Sequence, residues 1–410
     1  MKILFLIPYV PNLIRVRSYN LLRYLAHRGH QITLLTLWTT PQDLADLEQL
    51  RPYCHDIQAL SLPRWRSLFN SIMALPTATP LQAVYCWQPD MHQQLFSLFH
   101  TSNGHQPFDA VHVEHLRGVR YAAALQAAFP HTPIIWDSVD CISYLFRQAS
   151  EVSESSFRRL ITRLELSRTA RYEAHLSGLF RRVLVTSRHD RQAFLDLNPQ
   201  AEHNITVLPN GVDLDYFQPN PDLSREPATI VVSGKMSYDA NAAMVTHLAR
   251  HIMPRVWAQR PEARLMVVGK DPTPEIQILA QNPQITVTGF VPDLRPYLHK
   301  ATVAVAPITY GAGIQNKVLE AMACATPVVA SPKAASALQV TSGQELLIAE
   351  EAGEFAAAIL ALINNPTQQT RIGQAGLSFV QQNHNWHNIT AQLETIYQTS
   401  LLKTSGENVA

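Results

Sequence analysis

The chain has 410 residues, 46 % of them hydrophobic, and a formal net charge of +1. This length suits two or three domains of ordinary size, and the apolar content is enough for packed cores and excludes a disordered chain. A near-neutral chain is not a polyanion binder as a whole, which sets nucleic acid aside as a partner and leaves membrane contact to local basic patches.

The first seventeen residues, MKILFLIPYVPNLIRVR, carry one lysine and a short apolar run, as a secretory leader would. Pro8 and Pro11 break that run, and arginines stand where a small-residue cleavage site belongs. A buried first strand over 2–8 is the better reading. Helical periodicity follows over 16–30 and ends on Gly29, and QITLLTL (31–37) is the next strand. This βαβ opening predicts a parallel sheet with helices on both faces. AVHVEH (110–115), TPIIWDSVD (132–140) and RVLVTS (182–187) are further strands of that sheet. Cys54, Cys86, Cys141 and Cys324 are scattered without metal-ligand or C-x-x-C spacing, so reduced thiols and a cytoplasmic location are expected. No apolar stretch approaches the length of a membrane span.

Near ITVLPNGVDLDYFQP (205–219) the pattern resets, with Asn210-Gly211 as a turn and a polar, proline-rich run beyond it. A second βα series runs through ATIVVSGKMS (228–237), ARLMVVGK (263–270), QITVTGFV (284–291), ATVAVAPI (301–308) and TPVVAS (326–331). The expectation is an α/β chain of two doubly wound domains, 1–215 and 216–384, with a cleft between them. A last helix over 385–402 is expected to pack back on the first domain. Open parallel sheets bind ligands beyond the carboxyl ends of their strands, so the loops there are where chemistry should lie.

One such stretch is YGAGIQNKVLEAMACATPVVAS (310–331). Gly311 and Gly313 let backbone approach a ligand, and the helix that follows offers free N–H groups to an anion such as a diphosphate. Lys317 opposes the helix dipole in the first turn, which is tolerable if it faces an anion. Glu320 is a lone carboxylate among Val318, Leu319, Ala321 and Met322. Burying it is costly unless something binds it, as the vicinal diol of a ribose would; a solvent-facing helix position is the other reading.

NKVLEAMACATPVVAS closely resembles the signature of the GT-B glycosyltransferases of family 4, the "group 1" glycosyl transferases. RGHQITLLTL, VLVTSRHDRQAF (183–194), VLPNGVDLDYFQP (207–219), SGKMSYDANAAM (233–244), LMVVGKDP (265–272) and VTGFVPDLRPYL (287–298) follow in the family's order. The SGKMSY and GIQNKVLEAMA variants look most like the branch associated with exopolysaccharide export. The resemblance implies a GT-B fold of two Rossmann-like domains and a nucleotide-sugar-dependent, hexosyltransferase-type enzyme, with the donor held by the second domain. Glu320 matches the second Glu of the family's E-x7-E motif, on the donor ribose. Lys235, after Gly234, falls where the family has a cation on the diphosphate. Gly289, Phe290 and Val291 match the segment whose backbone reads the base, and Gly313 and Ile314 the loop whose amides face the phosphates. Two departures stand out. Ala312 occupies the place of the first motif Glu, which contacts the transferred sugar, and YDAN replaces the family's second phosphate lysine. Lys317 is placed to compensate for the missing lysine, and Asn316 or His115 to supply the sugar contact.

In the first domain, Arg15 or Arg17 could face an anionic substrate. His115 is chosen over His112 as the family's donor-sugar histidine, beside Glu114 at a strand end. Lys235, Glu320 and His115 are thus the expected catalytic set, with Arg17, Asp137 and Asp140 on the acceptor side. Residues 147–182 hold eight arginines: 147, 158, 159, 163, 168, 171, 181 and 182. A solvated helix face is the plain reading; docking on anionic lipid at the inner face of the cell membrane, for a lipid-linked acceptor, is the other, and PRWRSLF (63–69) adds to it. No cofactor and no metal are expected, since neither HExxH nor a D-x-D at a strand end appears. The family transfers with retention, the acceptor hydroxyl attacking from the face the nucleotide leaves. Rival readings are a GT-B sugar-nucleotide epimerase and, because of Ala312, a degenerate subunit that binds nucleotide-sugar without turnover. A glycan or lipid-linked acceptor is implied either way for an active transferase.

Overall fold

The computed structural model describes residues 1–100, 106–152, 156–309 and 314–406. The chain divides into two compact units, 1–209 with 386–410, and 210–385.

The first unit is built on seven parallel strands: β1 (Lys2–Ile7), β2 (Gln31–Trp38), β3 (Asp56–Ser61), β4 (Ala110–Glu114), β5 (Ile134–Val139), β6 (Arg182–Val185) and β7 (Ile205–Val207). Their order is β3-β2-β1-β4-β5-β6-β7. Near-continuous apolar runs suit strands covered on both faces. Alternate side chains of β1 serve different cores: Leu4 and Leu6 pack with Val119 and Leu125, while Ile3, Phe5 and Ile7 pack with Leu21, Leu25 and Leu393. The helix Trp386–Gly406 lies on that second face. It is tied there by an Arg28–Glu394 ion pair and by Tyr397, whose hydroxyl is 2.9 Å from His112 Nδ1.

The second unit has six parallel strands: β8 (Thr229–Ser233), β9 (Arg264–Val268), β10 (Ile285–Val287), β11 (Val303–Ala306), β12 (Val328–Ala330) and β13 (Leu347–Ile348), ordered β10-β9-β8-β11-β12-β13. Residues 210–215, assigned from the sequence to the first domain, go with this unit. Val212 N–H donates to the His384 carbonyl at 2.8 Å, and His384 Nδ1 meets the Asn210 carbonyl at 2.7 Å. These bonds hold the turn beside the chain that leaves the unit.

Each sheet has one topological switch point, between β1 and β4 and between β8 and β11, where successive crossovers run to opposite sides. Among the described residues no helix is long and apolar enough to cross a membrane.

Candidate functional site

At the second switch point the backbone ends of β8 and β9 come very close. Gly269 has φ +155°, and a Cβ there would lie 1.7 Å from the Gly234 carbonyl oxygen. Gly234 has φ +151°, with a would-be Cβ 2.8 Å from Asn241 Nδ2. Only glycine fits either place. The tight turn puts Lys235 in solvent just past β8.

Asn241 is buried and joins two elements. Its Nδ2 donates to the Lys235 carbonyl at 3.0 Å, and its Oδ1 accepts from Lys317 Nζ at 3.0 Å. Lys317 also donates to Gln315 Oε1 at 3.2 Å. The β8 loop and the helix Asn316–Ala323 after β11 are therefore fastened through one side chain. That helix buries Val318, Leu319, Ala321 and Met322, which leaves Lys317 and Glu320 half-buried.

Burial pushes the Glu320 carboxyl up to about 7, opposed by Lys317. Burial pulls Lys317 down to about 8, opposed by Glu320. Glu320 accepts no hydrogen bond among the described residues, and neither does the buried Asn316 Oδ1. A cation, a carboxylate and an unfilled amide oxygen stand together within two helical turns. They can take an anion and hydroxyl donors.

Ile314 is buried where the helix begins. Gly313, like Gly311 and Ala312, lies outside the described residues. At the end of β10, Gly289 turns with φ +68°, Phe290 is 73 % exposed, and Val291 packs against the core.

The first switch point is charged and buried. Arg17 Nε donates to Asp137 Oδ2 at 2.8 Å, and its Nη1 to the Leu208 carbonyl at 3.1 Å. His112 Nε2 lies 3.3 Å from the same carboxylate oxygen. Burial would raise the Asp137 carboxyl, but Arg17 and His112 outweigh it and hold it below the usual range. Arg17 and Asp137, expected on the acceptor side, are thus committed to each other inside the protein.

His115, the residue after β4, has φ +64°, and Val139, the last residue of β5, has φ +68°. Both are in the left-handed region, which a β-branched residue adopts only under constraint. Burial, helped by Arg117, pulls the His115 imidazole down to about 3. Beside it, Glu114 accepts from Tyr9 Oη at 2.6 Å, and burial followed by Asp137 raises its carboxyl to about 7. Asp140 is half-buried past β5 and accepts from Thr186 at 3.4 Å; burial, then Asp190, raises it to about 7.

Sequence reasoning passed over Asn241, Asp190, Glu173 and Tyr397. Glu173 accepts from the Ile142 and Ser143 N–H groups at 2.8 and 3.0 Å, so it caps the helix that starts there. Asn241 stands inside a motif already singled out, and a polar residue beside Gly234 and Lys235 was the available signal.

Of the basic segment, Arg168 bonds Glu165 and the Leu75 carbonyl, Arg171 bonds Ser167, and Arg182 bonds the His203 carbonyl. Arg147, Arg163 and Arg181 are exposed, and the side chains of Arg158 and Arg159 lie outside the described residues. A cavity of about 270 Å³ beside Ile134, Arg182 and Asn204 lies at the amino ends of β5–β7, away from these loops.

The family model described as Glycosyltransferase Family 4 matches residues 14–216, and that described as Glycosyl transferases group 1 matches 227–365. A curated relative, the phosphatidyl-myo-inositol mannosyltransferase of Mycobacterium leprae, is 28 % identical over 211 residues, 49 % of this chain and 55 % of the relative. The chain thus spans about half the length of that relative. Among solved structures, the sucrose-phosphate synthase of Thermosynechococcus elongatus aligns with TM-score 0.68 at 20 % identity, over 97 % of this chain and 99 % of that one. The Anabaena protein HepE, in complex with UDP and glucose, aligns with TM-score 0.68 at 15 % identity, over 97 % and 100 %. At these identities the two structures speak for the fold.

Proposed function

Because the chain belongs to the family 4, group 1 glycosyltransferases and has their two-unit α/β fold, we propose that it moves a sugar from a nucleotide-sugar to a glycan or lipid-linked acceptor with retention of configuration. The observation that carries this reading is the cluster of Lys235, Lys317, Glu320 and Asn316 at the second switch point. Ionised Glu320 accepts both hydroxyls of the donor ribose. Lys235 and Lys317, with the N-terminus of the helix Asn316–Ala323, neutralise the diphosphate as charge grows on it in the transition state. Two ammonium groups and a helix end make a divalent metal unnecessary, so turnover should persist in chelator. Asn316 Oδ1 accepts a sugar hydroxyl, the contact that Ala312 lacks the oxygen to make. The backbone of Gly289–Val291 reads the base, with the Phe290 ring available to stack on it.

His115 is neutral at ordinary pH and serves as a hydrogen-bonding group for the donor sugar rather than as a base. Asp140 is the acceptor-side carboxyl; Arg17 and Asp137 support that wall from within. The acceptor hydroxyl attacks from the face the diphosphate leaves, and a donor phosphate oxygen takes its proton. No protein nucleophile is needed. The name of the mannosyltransferase relative supports sugar transfer, and the UDP and glucose bound to HepE support a nucleotide-sugar donor.

The test is a panel of UDP- and GDP-sugars scored by thermal stabilisation and then by transfer. Retention is read from the anomeric coupling in the product. Product without acceptor would indicate an epimerase. Binding without any turnover would favour the degenerate-subunit reading that Ala312 raises.

A further inference from the structure

The helix Arg64–Ala74 is inverted with respect to its surroundings. Trp65, Leu68, Phe69, Ile72 and Met73 recur at the spacing of one helical face, and each is 51–63 % exposed. Toward the protein it turns small residues: Ser67 and Ala74 are buried, and Asn70 is held by a 2.8 Å bond to the Trp87 carbonyl. A helix normally puts its large apolar side chains inward. A contiguous exposed stripe of this kind marks a surface that something covers.

The charge around the stripe says what covers it. From residue 57 to residue 89 the chain has no Asp or Glu, and its only charges are Arg64 and Arg66. The Arg66 guanidinium lies 5.0 Å over the Trp65 ring, a pairing suited to a headgroup layer. From the neighbouring helix Ser156–Leu179, Arg168 reaches the Leu75 carbonyl at 2.6 Å, and Leu164 one turn before it is also exposed. The nearby acid, Glu165, is turned inward to the Leu81 N–H and to Arg168. An apolar face edged by Arg64 and Arg66, in a stretch from 57 to 89 that holds no acid, fits an interface that is apolar below and anionic at its rim.

We propose that the helix Arg64–Ala74 seats this protein on an anionic lipid bilayer, its five apolar side chains among the acyl chains and Arg64 and Arg66 at the phosphates. This deepens the lipid-linked-acceptor reading, and centres the expected contact on the helix that carries PRWRSLF rather than on 147–182. It is measured without donor or acceptor, so its failure would leave the transfer reading standing.

The experiment is flotation of the full chain with vesicles of phosphatidylcholine alone and of phosphatidylcholine with phosphatidylglycerol, at low and high salt. The protein should float with the anionic vesicles and bind less at high salt. Leu68→Gln with Ile72→Gln should weaken partitioning by about a hundredfold, since each side chain kept in water forfeits about tenfold. The melting temperature should fall little, because both side chains are more than half exposed. Arg64→Gln with Arg66→Gln should abolish the preference for anionic vesicles. Binding by the Leu68→Gln, Ile72→Gln variant equal to wild type would overturn the proposal, as would wild-type protein that floats with neither vesicle. A doubled solution mass that the same two substitutions reverse would overturn it too, by assigning the stripe to a second copy of the chain.

Discussion

Replacing Glu320 by glutamine should move stability and donor affinity in opposite directions. The folded carboxyl titrates near 7, against 4.5 for an ordinary glutamate, because burial disfavours its charge. A value raised on folding gives stability that is fully present below about pH 4.5 and lost as pH rises through about 7. Above that, ionised Glu320 costs up to about 3 kcal/mol, and about 1–2 kcal/mol once its partial exposure is allowed for. Glu320→Gln should therefore raise the melting temperature of the ligand-free protein at pH 8 and leave it unchanged at pH 4. Donor binding needs the ionised form, which accepts two hydroxyls. Losing those charge-assisted bonds forfeits about 1.5–3 kcal/mol, or a factor of about 10 to 150 in Kd.

The pH profile is the sharper assay. Lys317 must stay protonated to hold the diphosphate, and it titrates near 8. Wild-type affinity for a nucleotide-sugar should peak between about pH 7 and pH 8 and fall on either side, the two limbs belonging to the coupled pair. Calorimetric titration with an intact nucleotide-sugar is preferable to a nucleoside diphosphate, whose terminal phosphate titrates in the same range. Glu320→Gln should abolish the acid limb and move the alkaline limb to lower pH, since the Glu320 charge is what opposes the fall of Lys317. A variant that keeps wild-type Kd at pH 8, or keeps the acid limb, would refute the assignment of Glu320 to the ribose.

Lys235→Ala should lower kcat by about a hundredfold or more while Kd for the donor shifts less than about tenfold, since charge on the leaving diphosphate grows toward the transition state; single-turnover kinetics with a measured Kd separate the two. Asn241→Ala removes both bonds that join Lys317 to the β8 loop, and should cost about 1–3 kcal/mol of stability together with weaker donor binding, read by urea titration and calorimetry. Tyr397→Phe leaves His112 Nδ1 without its buried partner and should cost about 1–2 kcal/mol in urea with donor Kd unchanged. A shift in donor Kd there would mean that the C-terminal helix reaches the donor.

Much of the site was legible because its signals are local. Gly234 and Lys235 stand one and two residues past a strand, and Glu320 interrupts an apolar helical face; both are patterns of spacing in a single element. The switch-point network was not legible. Arg17 and Asp137 are 120 residues apart, and His112 and Tyr397 are 285 apart. No local pattern carries such pairings, which arise only when β1, β4 and β5 align and the last helix returns.

The helix Arg64–Ala74 divides the two kinds of information most sharply. Its sequence alone determines that Trp65, Leu68, Phe69, Ile72 and Met73 share a face, because a helix repeats every 3.6 residues or so. Periodicity alone would make such a stripe a core contact, and only the aromatic and basic residues of PRWRSLF (63–69) pointed toward lipid. Periodicity says which side chains lie together and nothing of what lies opposite them. Only the tertiary structure decides that Ser67 and Ala74 meet the protein and that the large side chains meet the solvent.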